Sequence, residues 1–401
     1  MTAVPCLQCQ SSQFDTHKNL LNVANGVINL QTGQLLPHDP SLMLTQLTEI
    51  PFCPNARCPL WQKTVRDILV NEEIVEFAQT MFGYFATGET NWTIVPIMTG
   101  DGGNGKSLLV GVIRDILGDD LISDIAEELV LEKAQQPHPE VYYRLRGKRL
   151  VYTPELPVNG TLNERRLKTI TGGEEKLTAR PIYGKPVTFK NTAKVVILTN
   201  NLPKLKSADN SIDRRFINME FTQKFLTKQK YDEEARKNPR FAEDQPNVKL
   251  ADATLHQRLL QSEKEGILAW IVSGAVRFFA KLAENTGVEV PEKLRIDSRE
   301  FIEEQDTVKR FLDEECESVS LHDKHSLKEC NGIKSSLLFG AYRDWANFHG
   351  LTNKAWSSIA FGREMGRLIR NGYPGLSKFD GRQYTYYSVK LSGNFEVNHH
   401  R

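Results

Sequence analysis

Several things are scarce in this 401-residue chain. Net charge is only +1, so no bulk basic field marks it as a nucleic-acid binder. Any DNA site must be a local patch or a pore built by several subunits. No uninterrupted apolar run approaches the ~20 residues of a membrane span. Met1-Thr2-Ala3-Val4-Pro5 leads into a polar stretch rather than a signal-peptide core. Repeats and low-complexity tracts are absent, and a reducing, cytoplasmic setting without a membrane partner is the default expectation. What is present, 40% apolar and 25% charged residues, is ordinary for a soluble globular protein, and the length suffices for two or three domains.

Cysteine is also sparse, at six residues. Cys6 and Cys9 form a C-x-x-C, and Cys53 and Cys58 a looser pair among prolines. Four thiolates would suit zinc, while incidental reduced cysteines fit the same spacing, and both readings stay open.

The segment Gly100-Asp101-Gly102-Gly103-Asn104-Gly105-Lys106-Ser107 matches G-x-x-x-x-G-K-[ST], the phosphate-binding loop of nucleoside triphosphatases. Its flanks agree. Trp92–Met98 reads as a buried strand, and Leu108–Leu117 as an apolar helix stopped by Gly118. Glycines let backbone N–H groups turn inward around phosphates, and the helix N-terminus adds partial positive charge. Gly100 through Leu108 are thus expected to hold ATP. Lys106 should meet the β- and γ-phosphates and Ser107 should ligate Mg²⁺.

Around this loop the chain alternates. Residues 19–50 read as small strands and a hairpin, 60–90 as helical, and 92–222 as strand and helix in turn. Such alternation predicts an α/β fold with a central, mostly parallel sheet. Residues 223–250 read as an exposed excursion, 255–282 as a packing helix, 284–298 as a linker and 299–317 as an acidic helix. Two helix patterns and a two-strand ending then suggest a winged helix. The expected domains are 1–90, 91–283, 284–331 and 332–401.

A phosphate loop needs a second strand that carries a carboxylate. Leu150-Val151-Tyr152-Thr153-Pro154-Glu155 is the candidate, with Glu155 the lone acid at its end and a second Mg²⁺ ligand. A third strand, Lys194–Thr199, ends in Asn200, which either orients the attacking water or merely turns the chain. Arg214-Arg215 precede the next apolar strand. They are either solvated or supplied to a neighbouring subunit's site as an arginine finger. Two β-type runs flank Tyr183-Gly184-Lys185, a hairpin signal. Near the C-terminus, Lys354, Arg363, Arg367, Arg370, Lys378 and Arg382, with Trp356, form a basic set that fits either DNA or protein contact.

In this order the motifs resemble the superfamily 3 helicases, specifically the helicase part of phage, plasmid and poxvirus-type primase-helicases. The resemblance rests on Gly100–Ser107, Leu150–Glu155, Leu167–Gly173 with Thr178-Ala179-Arg180, Val195–Asn200 and Arg214-Arg215. Upstream it extends to Asn25–Leu30 and Gly83–Gly88, and downstream to Tyr342–Trp345 and Phe361–Gly366. It implies an AAA+-like P-loop core, a mainly helical N-terminal collar and a C-terminal winged helix. It also implies a homo-hexamer that moves 3′ to 5′ on single-stranded or forked DNA, with the hairpin at residues 175–190 projecting into the pore. Lys185 at its tip would grip phosphate, Tyr183 beside it would stack on a base, and Arg180 would serve either the DNA or the neighbouring ATP site. Two departures stand out. Pro154 precedes a single acid, and no priming half precedes the motor. The expectation is a helicase fragment or stand-alone helicase serving a phage, plasmid or integrated element, with a primase or polymerase as a candidate partner. The rivals are an AAA+-like loader or remodelling ATPase, and an ATP-switched DNA-binding initiator that does not unwind.

Overall fold

The computed structural model describes residues 13–133, 135–157, 160–173, 176–205, 214–318, 333–351, 357–370, 372–380 and 385–391. They divide into two compact units, which meet in sequence at Ser298 and Arg299.

The first unit opens with a small antiparallel sheet of β1 (Leu20–Val23), β2 (Gly26–Asn29) and β3 (Gln34–Leu36). Two helices follow, α1 (Pro59–Leu69) and α2 (Glu72–Phe85). Cys58 offers α1 no side-chain cap, and Glu263 from far along the chain supplies one. Its carboxylate accepts Leu60 N–H at 2.9 Å and Trp61 N–H at 2.8 Å, satisfying donors that the helix leaves orphaned.

The central sheet contains β4 (Val95–Thr99), β5 (Ile122–Asp124), β6 (Leu150–Thr153), β9 (Lys194–Leu198) and β10 (Phe216–Glu220). Between β6 and β9 in sequence, β7 (Lys176–Ala179) and β8 (Val187–Lys190) pair as a separate antiparallel hairpin. The central order is β10-β4-β9-β6-β5, with every pairing parallel. Both faces of such a sheet are covered, so its strands read as continuous apolar runs. Every residue of β4 and β9 is buried. The α/β expectation therefore holds, with α3 (Lys106–Leu117), α4 (Pro139–Tyr143) and α5 (Glu164–Thr171) among the connections.

The stretch expected as one packing helix is two, Leu255–Ser262 and α6 (Lys264–Ala283), separated at Glu263. By length and composition α6 could cross a membrane, yet it packs on α2 in the core. Gly83 and Gly274 lie at the crossing. A Cβ on Gly83 would strike the backbone of Gly274 and Ala275, and one on Gly274 would strike Gln79 O. The helices touch main chain to main chain.

Two buried cations join these helical elements to the sheet. Arg149, just before β6, donates to Ala86 O at 2.5 Å and Leu20 O at 2.6 Å. Lys194, the first residue of β9, donates to Thr87 O and lies 5.0 Å from the centre of the Tyr84 ring. The Ala86 and Thr87 carbonyls close α2, where the helix dipole favours positive charge. Burial pulls the Arg149 pKa down to about 10 and that of Lys194 well below its ordinary value, where Arg149 adds repulsion.

Two expectations are corrected here. Residues 223–250 are not a plain excursion: β11 (Lys224–Leu226) and β12 (Val248–Leu250) pair in parallel around a helix at Lys228–Lys237. The 284–298 linker is partly helical, because a helix spans Glu292–Gln305 with Leu294, Ser298, Phe301 and Ile302 buried at helical spacing. Charged residues between these positions hide the stripe in sequence.

In the second unit, helices α7 (Thr307–Glu315), α8 (Ser335–Phe348) and α9 (Ser358–Arg370) enclose Phe311, Tyr342, Trp345, Phe361 and Met365. Strands β14 (Ile333–Lys334), β15 (Lys378–Asp380) and β16 (Thr385–Tyr387) form a sheet in the order β14-β16-β15, while β13 (Cys316–Ser318) pairs with β17 (Val389–Leu391). Arg367 is unavailable as an outward DNA contact. It donates to Glu364 at 2.6 Å and Asp306 at 2.8 Å, and both acids are buried. Arg363 and Arg370 remain exposed, and Lys354, Trp356 and Arg382 lie outside the described residues.

Arg149→Met keeps an apolar stem but removes the donor from two buried carbonyls. At ~1–3 kcal/mol for each unsatisfied group, the loss should be about 2–6 kcal/mol. A lowered thermal midpoint by circular dichroism is the expected result, and an unchanged midpoint would show that the anchor contributes nothing.

Candidate active site

Three adjacent parallel strands end at one edge. β4 ends before Gly100, β9 before Thr199-Asn200 and β6 before Pro154-Glu155. Because β9 lies between β4 and β6, Asn200 is placed between the glycine loop and the acid. The carboxyl edge of an open parallel sheet is where such folds bind ligands. Here it carries a cavity of about 340 Å³ lined by residues 102–108, 154, 155 and 198–200.

The loop's shape follows from its glycines. Gly100, Gly103 and Gly105 have φ of 134°, 77° and 91°, a region that side chains rarely enter. A Cβ on Gly100 would lie 2.5 Å from both Phe221 O and Asn104 Nδ2, and one on Gly105 would lie 2.6 Å from Ile68 Cδ1 of α1. Nothing lies within 4 Å of the Cβ position of Gly102, which faces the cavity. After β10 the chain runs beside the loop and braces it. Phe221 N–H donates to Thr99 O at 2.8 Å and Phe225 N–H to Gly103 O at 2.7 Å. This brace, the start of the supposed excursion, escaped the reading of the sequence. Its signal was the short apolar pair Phe225-Leu226 within polar surroundings.

Lys106, the first residue of α3, is buried at the cavity wall. Its ammonium donates to Gly100 O and, at 3.1 Å, to Asn200 Oδ1. The Asn200 amide in turn donates to Glu155 Oε1. These partners fix the amide's orientation, with oxygen toward the cation and nitrogen toward the carboxylate. Burial lowers the Lys106 pKa, and Glu155 and Asp101 oppose that shift. Ser107 is exposed in the cavity and Leu108 lines it. Asn104 is buried: its Oδ1 accepts Lys106 N–H at 3.4 Å, and its Nδ2 has no protein partner.

The arginine pair lies at the other edge of the sheet. Phe216 pairs with Val95 and Glu220 with Thr99. Arg215 therefore stands six strand residues from Gly100, roughly 20 Å at ~3.3 Å per residue. Its Nη1 donates to Thr171 Oγ1 at 3.2 Å, at the end of α5, whereas Arg214 is exposed. The Thr171-Gly172-Gly173 corner receives that arginine, and a Cβ on Gly173 (φ 72°) would strike Thr90.

At the hairpin, Tyr183 is fully exposed with φ 62°, and Lys185 is exposed beside it. Arg180 is turned onto its own loop, its Nε donating to Gly184 O at 2.9 Å. Of the four cysteines weighed for zinc, Cys6 and Cys9 lie outside the described residues. Burial and Glu263 push the Cys58 thiol up to about 12.

The chain is similar to several known proteins. A family model described as "D5 N terminal like" matches residues 2–70, and a family of unknown function (DUF5906) matches residues 98–215. A helicase-named protein of Acanthamoeba polyphaga mimivirus (L207/L206) is 27% identical over 251 residues, 60% of this chain and 26% of that protein. A primase-named protein of African swine fever virus (C962R) is 25% identical over 353 residues, 83% of this chain and 34% of that protein. The chain thus spans about a quarter to a third of these relatives' length. Among solved structures, the apo NrS-1 C-terminal region aligns with a TM-score of 0.47 and 15% identity, covering 84% of this chain and 77% of that one. These likenesses support a D5-like superfamily 3 helicase family.

The glycines separate loop folding from cavity shape. Gly100→Ala forces a side chain into a strained φ against Phe221 O, at a cost of about 1–3 kcal/mol. Gly102→Ala adds a methyl in open space and should stay within about 0.5 kcal/mol of wild type. Thermal midpoints of the two variants check the contrast, and equal midpoints would contradict this loop geometry.

Proposed function

We propose that this chain is the motor of an ATP-dependent, ring-forming DNA helicase that serves replication of a phage, virus, plasmid or integrated element. The observation that carries this reading is the meeting of the Gly100–Ser107 loop, Asn200 and Glu155 at one cavity, while the arginine pair sits at the opposite sheet edge. Lys106 then meets the β- and γ-phosphates, and the loop's N–H groups cradle them. Glu155 accepts a proton from the attacking water, which Asn200 orients. Ser107 and Glu155 are hard oxygen donors lining the same cavity and fit Mg²⁺, which would neutralise phosphate charge.

Arg214 is too distant from its own chain's cavity to act there, so it serves a neighbour's ATP, and Arg215 secures the corner from which it projects. This supports a homo-oligomeric ring, with a hexamer proposed from the family likeness. The hairpin tip, Tyr183 and Lys185, contacts single-stranded DNA in the pore, with Arg180 shaping the turn. The elements before β4 act as the collar. The second unit's three helices and short strands support a winged helix, with Arg363 and Arg370 as its outward cations. A cytoplasmic setting, and a primase or polymerase as partner, complete the proposal.

ATPase and forked-DNA unwinding assays test it. Lys106→Ala should lose nucleotide binding, and Glu155→Gln should bind ATP but turn it over slowly. Wild-type turnover by Glu155→Gln would remove that residue from the chemistry. Arg214→Ala should assemble and bind ATP with ~10³-fold slower hydrolysis. Rings that mix Arg214→Ala and Lys106→Ala chains should regain part of the ATPase, because some interfaces pair an intact loop with an intact finger. If labelled subunits exchange and activity stays at the level of either variant alone, the action in trans is wrong. ATP turnover without unwinding would favour a loader or remodeller, and binding without turnover an initiator.

A further inference from the structure

We propose that the outward flank of the β7–β8 hairpin, built from Lys176, Thr178, Thr188 and Lys190, is a second site for the phosphate backbone of single-stranded nucleic acid, apart from the tip. The proposal rests on the reading of this hairpin as a DNA-contacting element. Side chains alternate across the two strands. Leu177 and Ala179 are buried, with Val187 and Phe189 partly so, whereas Lys176, Thr178, Thr188 and Lys190 are all exposed on the other face.

The register sharpens the pattern. Lys176 stands directly opposite Lys190, and Thr178 opposite Thr188. Like charges directly across a ladder repel and weaken the strand pair. Neither ammonium has an ion-pair partner among the described residues; in sequence Glu174 and Glu175 immediately precede Lys176, and residues 176–194 contain no acid. The nearby carboxylate at the turn, Glu140 of α4, is taken up by Ile182 N–H at 2.9 Å, at the other end of the hairpin from the lysine pair. An anion between the lysines removes the repulsion. The threonine hydroxyls, 2.9 Å apart, offer donors one step further along the same face. Lys185 lies five residues from Lys190, roughly 16 Å along the strand. A nucleic-acid strand lying on this flank would meet cations at both ends, as in basic grooves that track a single-stranded backbone.

The test is binding of a fluorescent oligothymidylate, by anisotropy over a range of NaCl concentrations. It compares wild type, the Lys176→Gln/Lys190→Gln double variant and Lys185→Ala. For single strands the slope of log affinity against log salt shrinks by ~0.7 for each phosphate that the protein no longer neutralises, so in the double variant it should shrink by ~0.7 to ~1.4. The thermal midpoint of that variant should equal or exceed wild type, since a repulsion has been removed. A wild-type slope in the folded double variant, with weaker binding by Lys185→Ala, confines contact to the tip and overturns the proposal. A reduced slope in the double variant with unchanged Lys185→Ala upholds the flank and removes the tip. Wild-type slopes throughout overturn both. A slope that shrinks together with a change in size-exclusion elution marks the flank as a subunit contact, and the proposal fails.

Discussion

Arg149 and Lys194, two buried cations whose hydrogen bonds among the described residues go to main-chain carbonyls and not to a carboxylate, are the constraint on which the first unit depends. Both discharge onto main-chain carbonyls, those of Ala86, Thr87 and Leu20. An isolated buried charge is costly, so these contacts tolerate little displacement. Arg149 opens the strand that ends toward Glu155, and Lys194 opens the strand that ends toward Asn200. The same two strands therefore hold the helical elements at one edge and the polar groups of the cavity at the other. A shift of α2 along its axis would act on the carboxyl edge through β6 and β9.

The cavity was more legible in sequence than its supports, for a physical reason. A loop of positive-φ glycines followed by a helix is a local feature and leaves a contiguous mark at Gly100–Ser107. Strands buried on both faces also mark themselves, so β4, β6, β9 and β10 were readable as apolar runs with the acid and amide at their ends. The supports are non-local. Glu263 caps a helix some 200 residues upstream in the chain, and its residue type alone gives no sign of that. Arg367 looked like an outward cation on a basic helix, yet it neutralises Asp306 and Glu364, one of which lies far away in sequence. The parallel pairing of β11 with β12 spans a helix, and its strands are only three residues long. Too little periodicity remains there to recognise.

The two arginines illustrate how adjacent residues of one type diverge. Arg215 is held by the Thr171 hydroxyl at the end of α5. Arg214 next to it is left exposed at the edge of a rigid sheet. Ordering one member lowers the entropic cost of presenting the other, since its backbone is already fixed. The division also gives the Thr-Gly-Gly corner a purpose that needs no contact with nucleotide: it is the seat of the strand that carries the pair.

The crossing of α2 over α6 explains why α6 has the composition of a membrane span. Where Gly83 meets Gly274 the two backbones touch, and Gly266 lies as close to the main chain of Arg57 before α1. A surface helix needs one apolar stripe, but a helix enclosed on most sides must be apolar around most of its circumference. Half of the residues of Lys264–Ala283 are buried, so its high hydropathy fits packing against protein. A hydropathy scan of this chain would mark as a membrane anchor a helix whose buried face packs on α2.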